Sequence, residues 1–280
     1  MNTCPVRHED REIYSFDHTK IYFQTWTPAE IPVKANLLIV HGYAEHSSRY
    51  RKLAHHFAAS GFRTIGFDYR GHGHAGGQRG YCDNFFDFHN DLESAIQQLD
   101  NALPLFALGH SHGGLVVLDY LQNQESPFKG VVLTNPYLGL SIPQPKAKLA
   151  AGRLAAFYAP RLSIPSGLPT SGLSHDPCVI ARYERDPLIF PTATAGWFHE
   201  AEAAQSRVKE TPKCPVPLLY FYSDSDPIAS VEANRYVAHK IETPDKTVIV
   251  RRGELHEILN ETKRQECFDI ITNWIQMHLN

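Results

Sequence analysis

One stretch decides the fold of this chain: Phe106-Ala107-Leu108-Gly109-His110-Ser111-His112-Gly113-Gly114-Leu115-Val116-Val117. Its first residues are apolar, as in a strand buried on both faces, and its last residues continue as an apolar helix. Between them, the glycines of Gly-x-Ser-x-Gly leave room for a very sharp turn, where a side chain would collide with the backbone. A strand, a strained turn and a helix in this order lift the hydroxyl of Ser111 clear of the backbone, an arrangement called a nucleophile elbow.

Outward from this stretch, strands and helices alternate along most of the chain. A hairpin with partly alternating apolar residues comes first, over 13–26. Apolar segments of strand length follow at 35–40, 63–68, 130–136, 217–222 and 247–250. Segments with a helical spacing of apolar residues lie at 50–60, 91–99 and 261–279. This alternation predicts an α/β fold in which a mostly parallel sheet carries helices on both faces.

The alternation stops after Pro136. Beyond it, no strand pattern is found before Pro212, and Pro-rich turns separate two helical stretches, 146–158 and 195–208. The pattern predicts three segments: an α/β core at 1–136, a helical cap insertion at 137–212, and the rest of the core at 213–280. One question stays open for four apolar residues in the first helical stretch, which form either the cap's own core or a lipid-facing surface: Leu149, Leu154, Phe157 and Tyr158.

The composition excludes several classes of partner. The 280 residues carry a net charge of −3 without a dense run of Lys or Arg, which argues against nucleic acid. The five cysteines are far apart and form no C-x-x-C pair, so neither a disulfide framework nor a zinc site is indicated. A metal site would need a carboxylate or cysteine pattern that these histidines lack: His72, His74, His110 and His112. With a polar N-terminal segment and no membrane-spanning run, we expect a cytoplasmic protein. No cofactor is expected for the serine chemistry considered below, and the oligomeric state stays open.

Chemistry in open α/β sheets takes place beyond the carboxyl ends of the strands. Serine is a poor nucleophile at neutral pH and needs a histidine base that a carboxylate orients. Loops after three of the predicted strands supply Ser111, Asp226 and His256, in the order Ser, acid, His found on the α/β-hydrolase fold. We therefore predict Ser111 as the nucleophile, His256 as general base and then acid, and Asp226 as the orienting group. Asp224, in the same loop as Asp226, is the alternative acid.

Acyl transfer through a serine also needs two donors for the oxygen that becomes negatively charged. The residue after the nucleophile supplies one backbone N–H, and the loop after the first central strand supplies the other. The sequence predicts His112 and Tyr43 in these roles, through the backbone alone. We expect His41, in the same loop, to brace it by hydrogen bonds.

Four strings carry a resemblance to a known family: His41-Gly42-Tyr43-Ala44-Glu45-His46-Ser47-Ser48-Arg49-Tyr50, Asp68-Tyr69-Arg70-Gly71-His72-Gly73, Gly109-His110-Ser111-His112-Gly113-Gly114 and His256-Glu257-Ile258-Leu259-Asn260-Glu261. With them, nearly the whole chain resembles the monoacylglycerol lipase and lysophospholipase branch of the α/β-hydrolases. The resemblance implies an α/β-hydrolase fold with a cap that shapes an acyl tunnel. It also implies a polar end lined by Tyr183, Glu45 and Arg49. One departure is His112, which stands where Met is common in the family, and the role of its side chain stays open.

The leading hypothesis is a serine hydrolase that cleaves carboxylic esters of single-acyl-chain lipids, monoacylglycerol or lysophospholipid, through an acyl-enzyme. Its partners would be the lipid ester itself and, transiently through the cap, a membrane surface. One alternative is a peptidase of the proline-iminopeptidase type or a short-chain carboxylesterase. An alternative of another class is a non-catalytic homologue that keeps the fold for ligand binding. The sequence leaves the headgroup and the preferred acyl chain open.

Overall fold

The structure, a computed structural model, describes residues 5–100, 102–142 and 146–279. Within these residues the strands are β1 Val6–Tyr14, β2 Lys20–Pro28, β3 Ala35–Val40, β4 Phe62–Asp68, β5 Leu105–His110, β6 Gly130–Thr134, β7 Ser163–Pro165, β8 Thr192–Thr194, β9 Leu218–Ser223 and β10 Lys246–Arg251. The α-helices are α1 Arg51–Ala58, α2 Phe86–Ile96, α3 His112–Asn123, α4 Lys146–Tyr158, α5 Pro177–Arg185, α6 Ala195–Glu210, α7 Val231–Lys240 and α8 Arg264–Met277.

Eight of these strands form one sheet, in the order β1-β2-β4-β3-β5-β6-β9-β10. β2 runs antiparallel to both of its neighbours, and all the other pairs in this sheet are parallel. Because β3, β5, β9 and β10 are parallel, the loops that follow them meet at one edge of the sheet. The predicted fold class, a mostly parallel α/β-hydrolase sheet with helices on both faces, is confirmed.

Both faces of the sheet are covered by apolar layers. On one face, Phe57 of α1 and Trp274 of α8 belong to the same buried cluster as Phe106 of β5. On the other face, Leu92 of α2 and Val116 of α3 pack in a second cluster. The central strands are therefore buried on both sides and consist almost entirely of apolar residues, each large one contributing about 1.5–3 kcal/mol by its burial.

In the core, a strand boundary and a helix differ from the sequence prediction, and in the segment between β6 and β9 the helix α5 was not predicted either. β1 begins at Val6, well before the predicted start of the hairpin at Ile13, because an edge strand with its side chains in water has no apolar pattern to mark it. Helix α7 was not predicted. Its signal is Ser230, whose hydroxyl oxygen accepts the Ala233 N–H at 3.2 Å and so caps the helix N-terminus.

The segment between β6 and β9 carries α4, α5 and α6 together with β7 and β8. The prediction that this segment holds no strand is wrong, since β7 and β8 pair with each other. Each has three residues, too few to show a periodic pattern. On α4, the side chains of Leu154, Phe157 and Tyr158 are 62%, 78% and 75% exposed, so these three are not an internal core. The side chain of Leu149 lies outside the described residues.

Candidate active site

The site is built around the turn between β5 and α3. Ser111 has a φ of +50°, a backbone conformation that is strained for a residue with a side chain. The glycines on either side of it show how tight the turn is. A Cβ at Gly113 would lie 2.0 Å from the Val40 carbonyl oxygen, and one at Gly109 would lie 2.8 Å from the Gly113 oxygen. The Ser111 N–H donates to the Thr134 carbonyl at 3.0 Å, which ties the turn to β6. The predicted elbow is therefore present, with both glycines required by the approach of neighbouring backbone.

Ser111 lies within hydrogen-bonding distance of His256, which follows β10. The His256 Nε2 atom is 2.8 Å from the Ser111 Oγ atom, and the His256 Nδ1 atom is 2.7 Å from an oxygen of Asp226. The other Asp226 oxygen accepts the N–H groups of Ile228 and Ala229 at 2.8 and 3.0 Å, which fixes the carboxylate. The structure thus brings together the three residues predicted from their order in the chain.

Asp224 lies apart from this cluster. Its carboxylate is exposed to solvent and accepts the N–H of Gly253 at 2.8 Å. Of the two candidate acids, only Asp226 hydrogen-bonds to His256. The loop after β9 thus turns one carboxylate inward and the other into solvent.

The charge on Asp226 sets the protonation behaviour of His256. Burial by itself lowers the pKa of His256, but the nearby Asp226 carboxylate and its hydrogen bond more than offset burial and raise this pKa above its ordinary value. The arrangement can take a proton from Ser111 and stabilise the imidazolium that forms.

The predicted N–H donors lie beside the serine. His112 is the first residue of α3, and Tyr43 lies in the loop after β3 and lines the same cavities as Ser111. Neither backbone N–H has an acceptor within the described part of the chain. Both N–H groups are therefore without an acceptor among the described residues, as a donor to the negatively charged oxygen would need to be.

The side chain of His112 connects three parts of the site. It is fully buried; the Trp197 indole N–H donates to its Nε2 atom at 3.1 Å, and its Nδ1 atom lies 3.0 Å from the Tyr69 hydroxyl. Since an indole N–H is only a donor, Nε2 accepts, Nδ1–H donates to Tyr69, and the Tyr69 hydroxyl donates to the Gly42 carbonyl at 2.8 Å. The chain of hydrogen bonds joins α6, the elbow and the backbone next to Tyr43.

This histidine stays neutral at physiological pH. Burial, and then the positive charge that His41 would carry when protonated, lower the pKa of His112 to about 3. A neutral imidazole can donate at one nitrogen and accept at the other, as Tyr69 and Trp197 require. The sequence marked His112 as a departure, but its partners lie far along the chain and only the fold reveals them.

We expect His112→Met to lower kcat for a soluble p-nitrophenyl ester about tenfold, less than the loss of a whole donor of the anionic oxygen. The thioether neither donates to Tyr69 nor accepts well from Trp197, so the loop that carries Tyr43 loses its brace. Tyr69→Phe, which removes only the hydroxyl, is expected to give a similar loss. Variants with lower thermal stability but unchanged kcat would show that the brace stabilises the fold alone.

A cluster of ions closes the polar end of the site. Glu45 and Tyr183 line the cavity at Ser111, as does Glu257, which is not among the predicted site residues. Arg49 lies behind them: it donates two hydrogen bonds of 2.7 Å to Glu257, pairs with Glu45, and its guanidinium lies 5.0 Å from the centre of the Tyr183 ring. Burial alone raises the pKa of Glu45, but the charge on Arg49 lowers it to about 2, so this carboxylate stays ionised.

The three residues that the resemblance placed at this polar end therefore lie together, with a difference. Glu45 and Tyr183 face the cavity, whereas Arg49 braces the two glutamates and faces an adjoining cleft. Glu257 could have been predicted as a site residue from the sequence, because it directly follows His256 in one of the four strings that resemble the family.

Apolar space opens on the other side of the serine. A cavity of about 70 Å³ reaches Ser111, and a cavity of about 160 Å³ continues beneath the inserted segment. The two share lining residues that are mostly apolar: Leu140, Ser166, Leu168, Ala193, Phe198 and Ile228. The serine thus stands between an apolar passage and a polar, charged end.

Known proteins match this chain over most of its length. Residues 31–263 match the family Hydrolase_4, described as serine aminopeptidase, S33. The monoacylglycerol lipase of Mycolicibacterium smegmatis is 29% identical over 265 residues, covering 93% of this chain and 94% of that protein. The phospholipase YtpA of Bacillus subtilis is 29% identical over 248 residues, covering 87% of this chain and 95% of that protein.

Solved structures show the same fold. The crystal structure of a monoacylglycerol lipase from Paleococcus ferrophilus superposes with a TM-score of 0.80 at 28% identity, covering 92% of this chain and 99% of that chain. A soluble variant of monoglyceride lipase from Saccharomyces cerevisiae, solved with a substrate analogue, gives a TM-score of 0.82 at 22% identity, covering 99% of this chain and 96% of that chain.

Proposed function

We infer that this chain, which belongs to the family Hydrolase_4, described as serine aminopeptidase, S33, is a serine hydrolase that cleaves carboxylic esters of lipids with one acyl chain. The observation that carries the proposal is the hydrogen-bonded series Ser111, His256 and Asp226 at the mouth of an apolar passage. The similarity to proteins named monoacylglycerol lipase and phospholipase supports monoacylglycerol or lysophospholipid as the substrate.

The mechanism follows from the positions of these groups. The Ser111 Oγ atom attacks the ester carbonyl while His256 takes its proton, and the carbonyl oxygen becomes negative beside the N–H groups of Tyr43 and His112. The imidazolium, stabilised by Asp226, then protonates the leaving alcohol as the acyl-enzyme forms. A water molecule, activated by His256 in the same way, releases the fatty acid and restores Ser111.

The cavities on the two sides of Ser111 differ in polarity, and this difference suggests where each part of the substrate binds. The passage beneath the inserted segment, whose lining is largely aliphatic and aromatic, suits the acyl chain, so this segment acts as the cap. The polar end, with Glu45, Glu257 and Tyr183, suits the alcohol part. At this polar end Arg49 pairs with both Glu45 and Glu257, so each carboxylate already has a cationic partner.

The exposed face of α4 supports the finer proposal that the cap touches a membrane surface transiently. Leu154, Phe157 and Tyr158 project there, and an apolar side chain gains free energy by entering the lipid interface. Within the described ranges, no helix combines the length and the apolar character needed to cross a bilayer.

An acyl-length series tests the proposed function. With p-nitrophenyl esters from acetyl to palmitoyl, we expect kcat/KM to rise up to about fourfold per added CH₂ until the passage is filled, since burying a CH₂ gains about 0.8 kcal/mol. An aminoacyl amide should not be cleaved. A preference for acetyl, or cleavage of the amide, would favour the esterase or peptidase alternative.

Monoacylglycerols that carry acyl chains from this series, presented in vesicles, test whether the cap contacts the membrane. A Phe157→Ser, Tyr158→Ser double variant is expected to lose rate on vesicles and to keep it on dissolved short-chain esters. Equal rates of variant and wild type on vesicles would exclude membrane contact through this face.

A further inference from the structure

A second cleft lies behind the polar end of the site, with a volume of about 360 Å³. Its walls come from the start of α1 and from the cap helix α5. Its cationic lining residues are Arg49, Arg51, Lys52 and Arg182. The acyl passage described above lies on the other side of Ser111 and has no charged residue in its lining.

Three of the four cations that line this cleft have no side-chain partner among the described residues, and the fourth, Arg49, is paired with Glu45 and Glu257. Arg51, Lys52 and Arg182 have no ion pair or hydrogen bond through their side chains within the ranges that the structure describes. Burial, and then the charges on Arg182 and Arg264, lower the pKa of Lys52, as expected where positive charges crowd together.

The nearby acids are already engaged. Asp186, which also lines the cleft, pairs with His46 at 2.9 Å, and Asp176 pairs with Arg264 at 3.1 Å. The two glutamates of the polar end are held by Arg49. Among the described residues, the lining of the cleft therefore holds four cationic side chains and one carboxylate, that of Asp186.

The cleft adjoins the active site at Tyr183. This side chain lines both the cleft and the cavity that contains Ser111. Arg49 forms part of the partition, with its guanidinium against the Tyr183 ring and its two carboxylate partners on the side of the site. An alcohol part that extends past Tyr183 would therefore place its far end among the cations.

We propose that this cleft binds a phosphate group, supplied by the headgroup of a lysophospholipid, an assignment that rests on the proposed function. Arginine matches the oxygens of phosphate with paired N–H donors, and lysine adds a point charge. A neutral glycerol offers nothing to compensate three unpaired cations. Free phosphate shares the same chemistry, so the test separates the two sources.

The test compares two substrates of the same acyl length, a monoacylglycerol and its phosphate monoester, lysophosphatidate. In a triple variant, Arg51→Ala, Lys52→Ala and Arg182→Ala, we expect kcat/KM for lysophosphatidate to fall at least about thirtyfold, since hydrogen bonds between charged groups are the strong ones. The value for monoacylglycerol should stay within about twofold. A matched control removes three exposed cations elsewhere, Lys34, Arg235 and Lys240, and should change neither value.

A second arm measures thermal unfolding in inorganic phosphate against chloride at equal ionic strength. A higher Tm in phosphate for the wild type, absent in the triple variant, supports a phosphate site even if the selectivity between the two lipids does not change, and free phosphate is then the occupant. If neither the selectivity nor the Tm responds, the proposal is overturned. If the wild type cleaves no ester at all, the proposed function fails, while the Tm measurement still decides the cleft.

Discussion

Replacing Ser111 by Ala is expected to lower kcat for ester hydrolysis by about 10⁶-fold, because removing the nucleophile of such a triad leaves only the donors of the anionic oxygen and substrate binding. Labelling by a fluorophosphonate, which forms a covalent bond to the activated serine, should disappear. The change removes one oxygen and leaves the backbone at φ +50° in place, so we expect the fold to persist. Initial rates with a p-nitrophenyl ester and gel detection of a fluorescent fluorophosphonate measure both effects.

Ser225→Ala is the matched control for this experiment. Ser225 is exposed and hydrogen-bonds to the exposed Asp224 instead of His256. Its loss should change neither the rate nor the labelling. Hydrolysis that survives in the Ser111 variant at a comparable rate would transfer the nucleophile's role to another residue.

The second large effect is expected for Asp226→Asn, at about 10⁴-fold in kcat, because an amide in this position favours the wrong tautomer of His256. Asp224→Asn, an identical change two residues away, should stay within about twofold, since its carboxylate faces solvent and contacts Gly253. Rates of the two purified variants, each checked for its unfolding temperature, make the comparison. Comparable losses would assign the acid's role to Asp224.

The pH profile adds a readout that a loss of stability would not change. His256 acts as a base only when neutral, so the rate rises as pH increases through its pKa. Asp226 raises this pKa, and the acidic limb of the wild type should therefore lie above the ordinary histidine value of about 6.5. In Asp226→Asn the limb should shift to lower pH, whereas in Asp224→Asn it should stay where it is.

Much of the central sheet can be predicted from local patterns of apolar residues in the sequence. Strands β3, β5, β6 and β9 are covered on both faces, and burial on both faces demands an apolar run that is visible in one dimension. The elbow can also be predicted locally, because a single sharp turn leaves no room for side chains at 109 and 113 and so requires glycine there. No such apolar run marks β1 or the pair β7 and β8, because an exposed edge strand or a strand of three residues has no series of buried positions.

By itself, the sequence determined the α/β class, the elbow at Ser111 and the order of serine, acid and histidine, since each depends on steric or burial constraints within a short segment. Only the tertiary structure decided which aspartate reaches His256, how His112 joins Trp197 to the Gly42 backbone, and that the aromatic residues of α4 face solvent. The physical reason is distance along the chain: His256 and Ser111 are 145 residues apart, and no local pattern encodes contacts that only the packed sheet creates.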